Sequence, residues 1–131
     1  MSKKFGWCFI GTGKLAGQIA KQIQESENHQ IVSCYTRVFA KAKAFAQQWG
    51  CTPYASAEEA MQAEGVEGVY IVTTHNAHYK FAKIALDLGK PVLLEKPFTV
   101  YGADTDSLIE LSREKGVYIA EAMWTWFNPT A

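Results

Sequence analysis

The chain has 131 residues, in which 13 Lys and Arg balance 13 Asp and Glu, so no net field would recruit nucleic acid or an anionic membrane. Its apolar content of 48% suffices for one buried core and its charged content of 20% is ordinary. No apolar run reaches the roughly 18–20 residues of a membrane span.

The three cysteines, Cys8, Cys34 and Cys51, are odd in number and widely spaced. That argues against a disulfide frame or a metal site and fits reduced, buried thiols in a cytoplasmic protein. Each falls in an expected strand or at its edge, which disfavours a catalytic thiol. Lys3 and Lys4 precede an apolar run, but Gly11 and Gly13 interrupt it after about six residues, too short for a signal core.

Phe5 to Ile10 reads as the first strand, apolar almost throughout, as for a parallel strand covered on both faces. It runs into Gly11-Thr12-Gly13-Lys14-Leu15-Ala16 and then a helix over Lys14 to Glu25, with Leu15, Ile19 and Ile23 at helical spacing. Gly11 can turn without a Cβ clash, and Gly13 leaves room for backbone to approach phosphate oxygens. Ala16 is small enough for the helix to lie close to the strand. The helix N-terminus offers free N–H groups and partial positive charge to an anion. The spacing G-x-G-x-x-A, between strand and helix, therefore predicts a dinucleotide pyrophosphate site.

Ser26 to His29 is a polar turn, and Gln30 to Thr36 is a second strand rich in β-formers. An acid that holds an unphosphorylated ribose usually stands about 20 residues past the glycines. No Asp or Glu lies between Gln30 and Lys41. Thr36 and Arg37 instead offer a hydroxyl and a guanidinium suited to a 2′-phosphate, with Lys41 adding charge. NADP is thus expected, with NAD as the alternative. The plainer alternative for Arg37 is a solvated surface residue.

A helix over Phe39 to Trp49 follows, with Ala42, Phe45, Ala46 and Trp49 inward and Gly50 ending it. Cys51 to Tyr54 is a short third strand, and Pro53 puts it at an edge. Ser56-Ala57-Glu58-Glu59 matches a capping box, so Glu58 and Glu59 are helix-start residues rather than a catalytic pair. Gly68 to Thr73 is the fourth strand. The loop after it, Thr74-His75-Asn76-Ala77-His78-Tyr79, should face the cofactor, because ligands of open α/β sheets bind beyond the carboxyl ends of strands. Thr73, Thr74 and Asn76 can hydrogen-bond a dinucleotide. His75 and His78 are either structural residues near a helix start or cofactor and substrate contacts. No metal-ligand cluster is present there.

The next helix carries Phe81, Ile84, Ala85 and Leu88 on one face and closes at Gly89. Pro91 to Leu94 is the fifth strand, followed by Glu95-Lys96-Pro97. Charges directly after a buried strand are costly unless paired or used. Lys96 either points into the crevice or pairs with Glu95. Gly102 to Lys115 is a helix with Leu108, Ile109 and Leu111 inward and Gly116 as its cap. Val117 to Glu121 is the sixth strand, and the aromatic run Trp124 to Phe127 is a candidate surface for self-association into a homo-oligomer. This alternation predicts an α/β fold, a doubly wound parallel sheet in the order 3-2-1-4-5-6. Residues 1–121 would form the nucleotide-binding domain and 122–131 the start of a connection.

Taken together, Gly11 to Ala16, Thr36-Arg37, Thr73 to His78, Glu95-Lys96-Pro97 and Glu121-Ala122-Met123-Trp124-Thr125 resemble the glucose–fructose oxidoreductase / inositol dehydrogenase family. The last segment looks most like its dihydrodiol and sugar dehydrogenase branch. The resemblance covers about Phe5 to Pro129. It implies a Rossmann domain of a dehydrogenase that moves hydride between a nicotinamide and a sugar, polyol or diol, usually with NADP. It places Gly11, Thr12, Gly13, Lys14, Leu15, Thr36, Arg37, Thr73, Thr74, His75, Asn76, Glu95 and Lys96 around the cofactor. It carries the nicotinamide-side lysine onto Lys96 and the loop histidine onto His78. His75 stands where the family commonly has proline, and Trp126 where this branch commonly has arginine. Family members continue into a second, larger α/β domain that builds most of the substrate pocket, and that domain is absent from these residues. The competing expectation is a free-standing NADP-binding module without turnover.

Overall fold

The computed structural model describes residues 4–11, 14–72, 75–94, 102–117 and 119–121. Strands and helices alternate: β1 (Phe5–Ile10), α1 (Lys14–Glu25), β2 (His29–Tyr35), α2 (Phe39–Trp49), β3 (Thr52–Tyr54), α3 (Ala57–Met61), β4 (Gly68–Ile71), α4 (His75–Asp87), β5 (Val92–Leu94), α5 (Gly102–Lys115) and β6 (Ile119–Glu121). The strands form one six-stranded sheet in the order β3-β2-β1-β4-β5-β6. Every pairing in it is parallel. This is the doubly wound arrangement that the alternation predicts.

Side chains leave successive strand positions on opposite faces, so β1 feeds two cores. Trp7 and Phe9 point to one face, where Ala16, Ile19, Ala20 and Ile23 of α1 and Ala42, Phe45 and Ala46 of α2 cover them. Phe9 stacks on Tyr70 with ring centroids 5.3 Å apart. Cys8 and Ile10 point to the other face, against Met61 of α3, Ala82, Ala85 and Leu86 of α4, and Leu108 of α5. Each large side chain removed from water in this way contributes about 1.5–3 kcal/mol before chain entropy is counted. Ser33 is the buried polar exception among the described residues, and its hydroxyl donates to the Ala60 carbonyl at 2.7 Å.

Several boundaries differ from the sequence reading. His29 belongs to β2 rather than to the preceding turn: it pairs with Phe5, and its Nδ1 accepts from the Trp7 indole N–H at 3.0 Å. A partner so distant in sequence leaves no local signal. Among the described side chains of α4, Ala82, Ala85 and Leu86 are buried, while Phe81, Ile84 and the following Leu88 flank them half-buried. On α5, Ile109 is 37% exposed, whereas Leu108 beside it is fully buried and Leu111 half-buried. Cys51 is only half-buried.

Capping follows the sequence closely. The Ser56 side chain accepts from the Glu59 N–H at 3.4 Å and opens α3. Gly50, left-handed at φ 71°, closes α2. Replacing Ser56 by alanine removes that acceptor and is expected to lower stability by roughly 0.5–1 kcal/mol. A urea titration of Ser56→Ala checks this: an unchanged midpoint would mean that the cap contributes nothing.

Candidate dinucleotide site

The crevice lies where the sheet changes winding direction. β1 is flanked by β2 on one side and β4 on the other. α1, which leaves β1, packs on one face, and α4, which leaves β4, packs on the opposite face. The two connections therefore part above the carboxyl ends of adjacent strands, the place where open α/β sheets bind their ligands.

Gly11 stands at that parting. It is buried and adopts φ 104°, a region that a side chain disfavours. Its N–H donates to the Tyr35 carbonyl at 2.8 Å, and the Val72 N–H donates to the Ile10 carbonyl at 2.8 Å. These bonds lace the ends of β1, β2 and β4 together beyond the regular ladder. α1 then begins at Lys14, which presents a helix N-terminus just past the turn. Ala16 is fully buried in the core beneath, as its small size anticipates.

The end of β2 delivers Thr36, half-buried, and Arg37, exposed. Arg37 makes no ion pair with any described residue. No side chain caps the first turn of α2, which begins beside it. Val38 and Phe39 at this corner are 49% and 44% exposed, two of the three large apolar side chains that reach solvent among the described residues. Sequence reasoning missed this pair. The available signal was their position outside the inward stripe of α2, which starts at Ala42.

The remaining site residues are placed in part. Lys14 and Leu15 open α1, and His75, Asn76 and His78 lie in the first turns of α4, by backbone position. Thr12, Gly13, Thr73, Thr74, Glu95 and Lys96 lie outside the described residues. The structure thus brings Gly11, Tyr35 and Thr36-Arg37 to one end of the sheet. The aromatic segment Trp124 to Phe127 is also outside the described residues.

Other chemistries find little here. Burial pushes the Cys8 thiol up to about 12, so it is no nucleophile near neutrality. No group of three or more His, Cys, Asp or Glu among the described residues could hold a metal ion. No helix among them is long and apolar enough to cross a membrane.

Comparison with known proteins agrees with this geometry. Residues 5–123 match the model of an oxidoreductase family with an NAD-binding Rossmann fold. A trans-1,2-dihydrobenzene-1,2-diol dehydrogenase of Mus musculus is 32% identical over 126 residues, which is 94% of this chain and 38% of that protein. A D-xylose 1-dehydrogenase (NADP(+)) of Hypocrea jecorina is 30% identical, covering 94% of this chain and 35% of the relative. Among solved structures, a biliverdin reductase from Synechocystis in complex with biliverdin and NADP+ superposes with a TM-score of 0.81 at 29% identity. That match covers 88% of this chain and 37% of the other. The chain therefore spans little more than a third of the length of the relatives it matches.

Proposed function

We propose, from the premise that this chain belongs to the oxidoreductase family with an NAD-binding Rossmann fold, that it is the NADP-preferring half of a dehydrogenase acting on a sugar, polyol or diol. The observation that carries the preference is the end of β2. There Thr36 and Arg37 stand in place of an acid, next to an uncapped helix start. An acid would repel a 2′-phosphate, whereas a guanidinium binds it with paired, charge-assisted hydrogen bonds. Val38 and Phe39 supply exposed apolar surface at the same corner, suited to the flat face of an adenine ring.

The bound dinucleotide supplies the hydride-accepting carbon of its nicotinamide. The chain's own residues bind and orient it. Gly11 makes the tight turn, Gly13 leaves room for the backbone to approach the pyrophosphate, and the N-terminus of α1 stabilises its charge. Thr36 and Arg37 hold the 2′-phosphate end. Lys96 stands two positions past β5 in sequence. The substrate hydroxyl gives its proton up to solvent, and the Lys96 ammonium stabilises the alkoxide so formed, from whose carbon the hydride departs. His78, in the first turns of α4, takes part in holding the substrate hydroxyl. A second domain beyond residues 122–131 closes the substrate side. The dihydrodiol and xylose dehydrogenases among the relatives support the substrate class.

Four tryptophans make the test direct. Titrating the chain with NADPH and with NADH, by energy transfer from tryptophan, should give saturable binding that is roughly tenfold to a hundredfold tighter for NADPH. Arg37→Ala should lose most of that difference and leave NADH unchanged. Equal affinities in the unaltered chain would overturn the NADP preference.

A further inference from the structure

Cys34 and Cys51 meet at the outer edge of the sheet. Residues 33–35 of β2 pair with 52–54 of β3, with Cys34 opposite Pro53. Cys51 lies on the same side of its strand as Pro53, immediately before the ladder begins. It packs against the core that contains Cys34, which makes the two residues diagonal neighbours on one face of the β2–β3 pair. Cys34 is fully buried, and its S–H donates to the Ala42 carbonyl at 3.4 Å. Cys51 is half-buried, the more exposed of the two. Cys8 points into the opposite core and is separated from this pair by the sheet.

We propose that Cys51 and Cys34 form a thiol pair that a hydroperoxide converts reversibly into an intrachain disulfide, Cys51 attacking first and Cys34 resolving. Neither thiol is used by the dinucleotide reading, and nothing in the family match assigns them.

The chemistry balances with the peroxide as oxidant. The Cys51 thiolate attacks one peroxide oxygen, the O–O bond breaks, and water or an alcohol leaves as Cys51 becomes a sulfenic acid. The Cys34 sulfur then attacks the Cys51 sulfur, an S–S bond forms, and a second water leaves with the Cys34 proton. A thiol reductant reverses the step by exchange.

The local structure divides the two roles. Donation from the Cys34 S–H holds the Cys51 thiol below its usual range, whereas that same bond and burial raise Cys34. Cys51 donates its backbone N–H to the Ala46 carbonyl at 3.2 Å and lies outside the strand ladder, so its own backbone takes no part in the strand pairing.

The experiment uses the reduced full chain, hydrogen peroxide, then alkylation and peptide mapping under non-reducing conditions. The expected product is monomeric and lighter by two hydrogens, with the Cys34 and Cys51 peptides joined, Cys8 still alkylated, and everything reversed by dithiothreitol. Cys51→Ser should abolish the crosslink, and Cys8→Ser should leave it intact, both judged on variants whose circular dichroism matches the parent. Three results would overturn the proposal on the unaltered chain alone. They are Cys51 driven to the sulfinic acid with no crosslink, a crosslink between two chains, and three intact thiols at peroxide levels that oxidise free glutathione.

Discussion

Gly6→Ala is expected to be the most damaging single substitution in the central strand. A Cβ built at this position would sit 2.0 Å from the Gly65 carbonyl oxygen and 2.8 Å from a Val32 methyl. A side-chain atom could swing aside, but this oxygen is main chain. It belongs to the turn that the Glu67 N–H fastens to the Gly6 carbonyl at 2.7 Å. Relief therefore requires β1 to part from that turn, at a cost of about 3 kcal/mol or more. Such a loss should lower the thermal midpoint by on the order of 10 °C. Gly17→Ala is the control: nothing lies within 4 Å of its added Cβ, and it sits inside α1. Alanine there should raise stability by roughly 0.5–1 kcal/mol. Paired urea titrations followed by circular dichroism decide the matter. Equal midpoints for Gly6→Ala and the parent would show that the turn yields without cost.

Gly11→Ala should separate binding from folding. The residue holds φ 104° between β1 and α1, and its N–H is committed to the Tyr35 carbonyl. An alanine either keeps that strained conformation, at about 1–3 kcal/mol, or relaxes and shifts the turn out of place. Either way, the turn that leads the backbone to the pyrophosphate is strained or displaced. We expect NADPH affinity to fall on the order of a hundredfold while the folded circular dichroism signal at room temperature is retained. Tryptophan-transfer titration and thermal melting on one preparation read the two quantities separately. Unchanged NADPH affinity would move the pyrophosphate away from this turn.

The parts of the fold that sequence made legible are those specified by nearby residues. α2 and α5 begin and end where spacing and terminal glycines put them, at Phe39–Trp49 and Gly102–Lys115. The strand order follows from alternation and from the glycine turn that sets the switch point. What was illegible depends on distant partners. His29 enters β2 because Trp7 and Phe5 meet it there. Ile109 looks inward on a helical wheel, but only the position of α5 over the sheet decides how wide its buried stripe is. In the site, Gly11 and Thr36-Arg37 are legible because one short motif and one strand end contain their chemistry. Val38 and Phe39 lie outside the inward stripe of α2, and that position alone is the sequence signal for their exposure. That Cys34 and Cys51 share one face of the sheet edge follows from β2–β3 register, which no spacing rule supplies.

The central position of β1 also governs the order in which the chain can assemble. Its pairing with β2 closes a short loop, but its other edge waits for β4, and the Gly6 N–H reaches the Glu67 carboxylate across 61 positions. Closing the longer loop costs only slightly more entropy, since the penalty grows with the logarithm of length. Time is the larger difference. At about 5–20 residues per second, a ribosome needs several seconds to extend from one partner to the other. During that interval β1, β2 and β3 can associate with α1 and α2, while the β4-side edge of β1 presents unpaired N–H and C=O groups beside Phe9 and Ile10. An open hydrophobic strand edge is a template for foreign strands. The vulnerable moment in this protein's synthesis is therefore the one before Gly68–Ile71 arrives to cover its first strand.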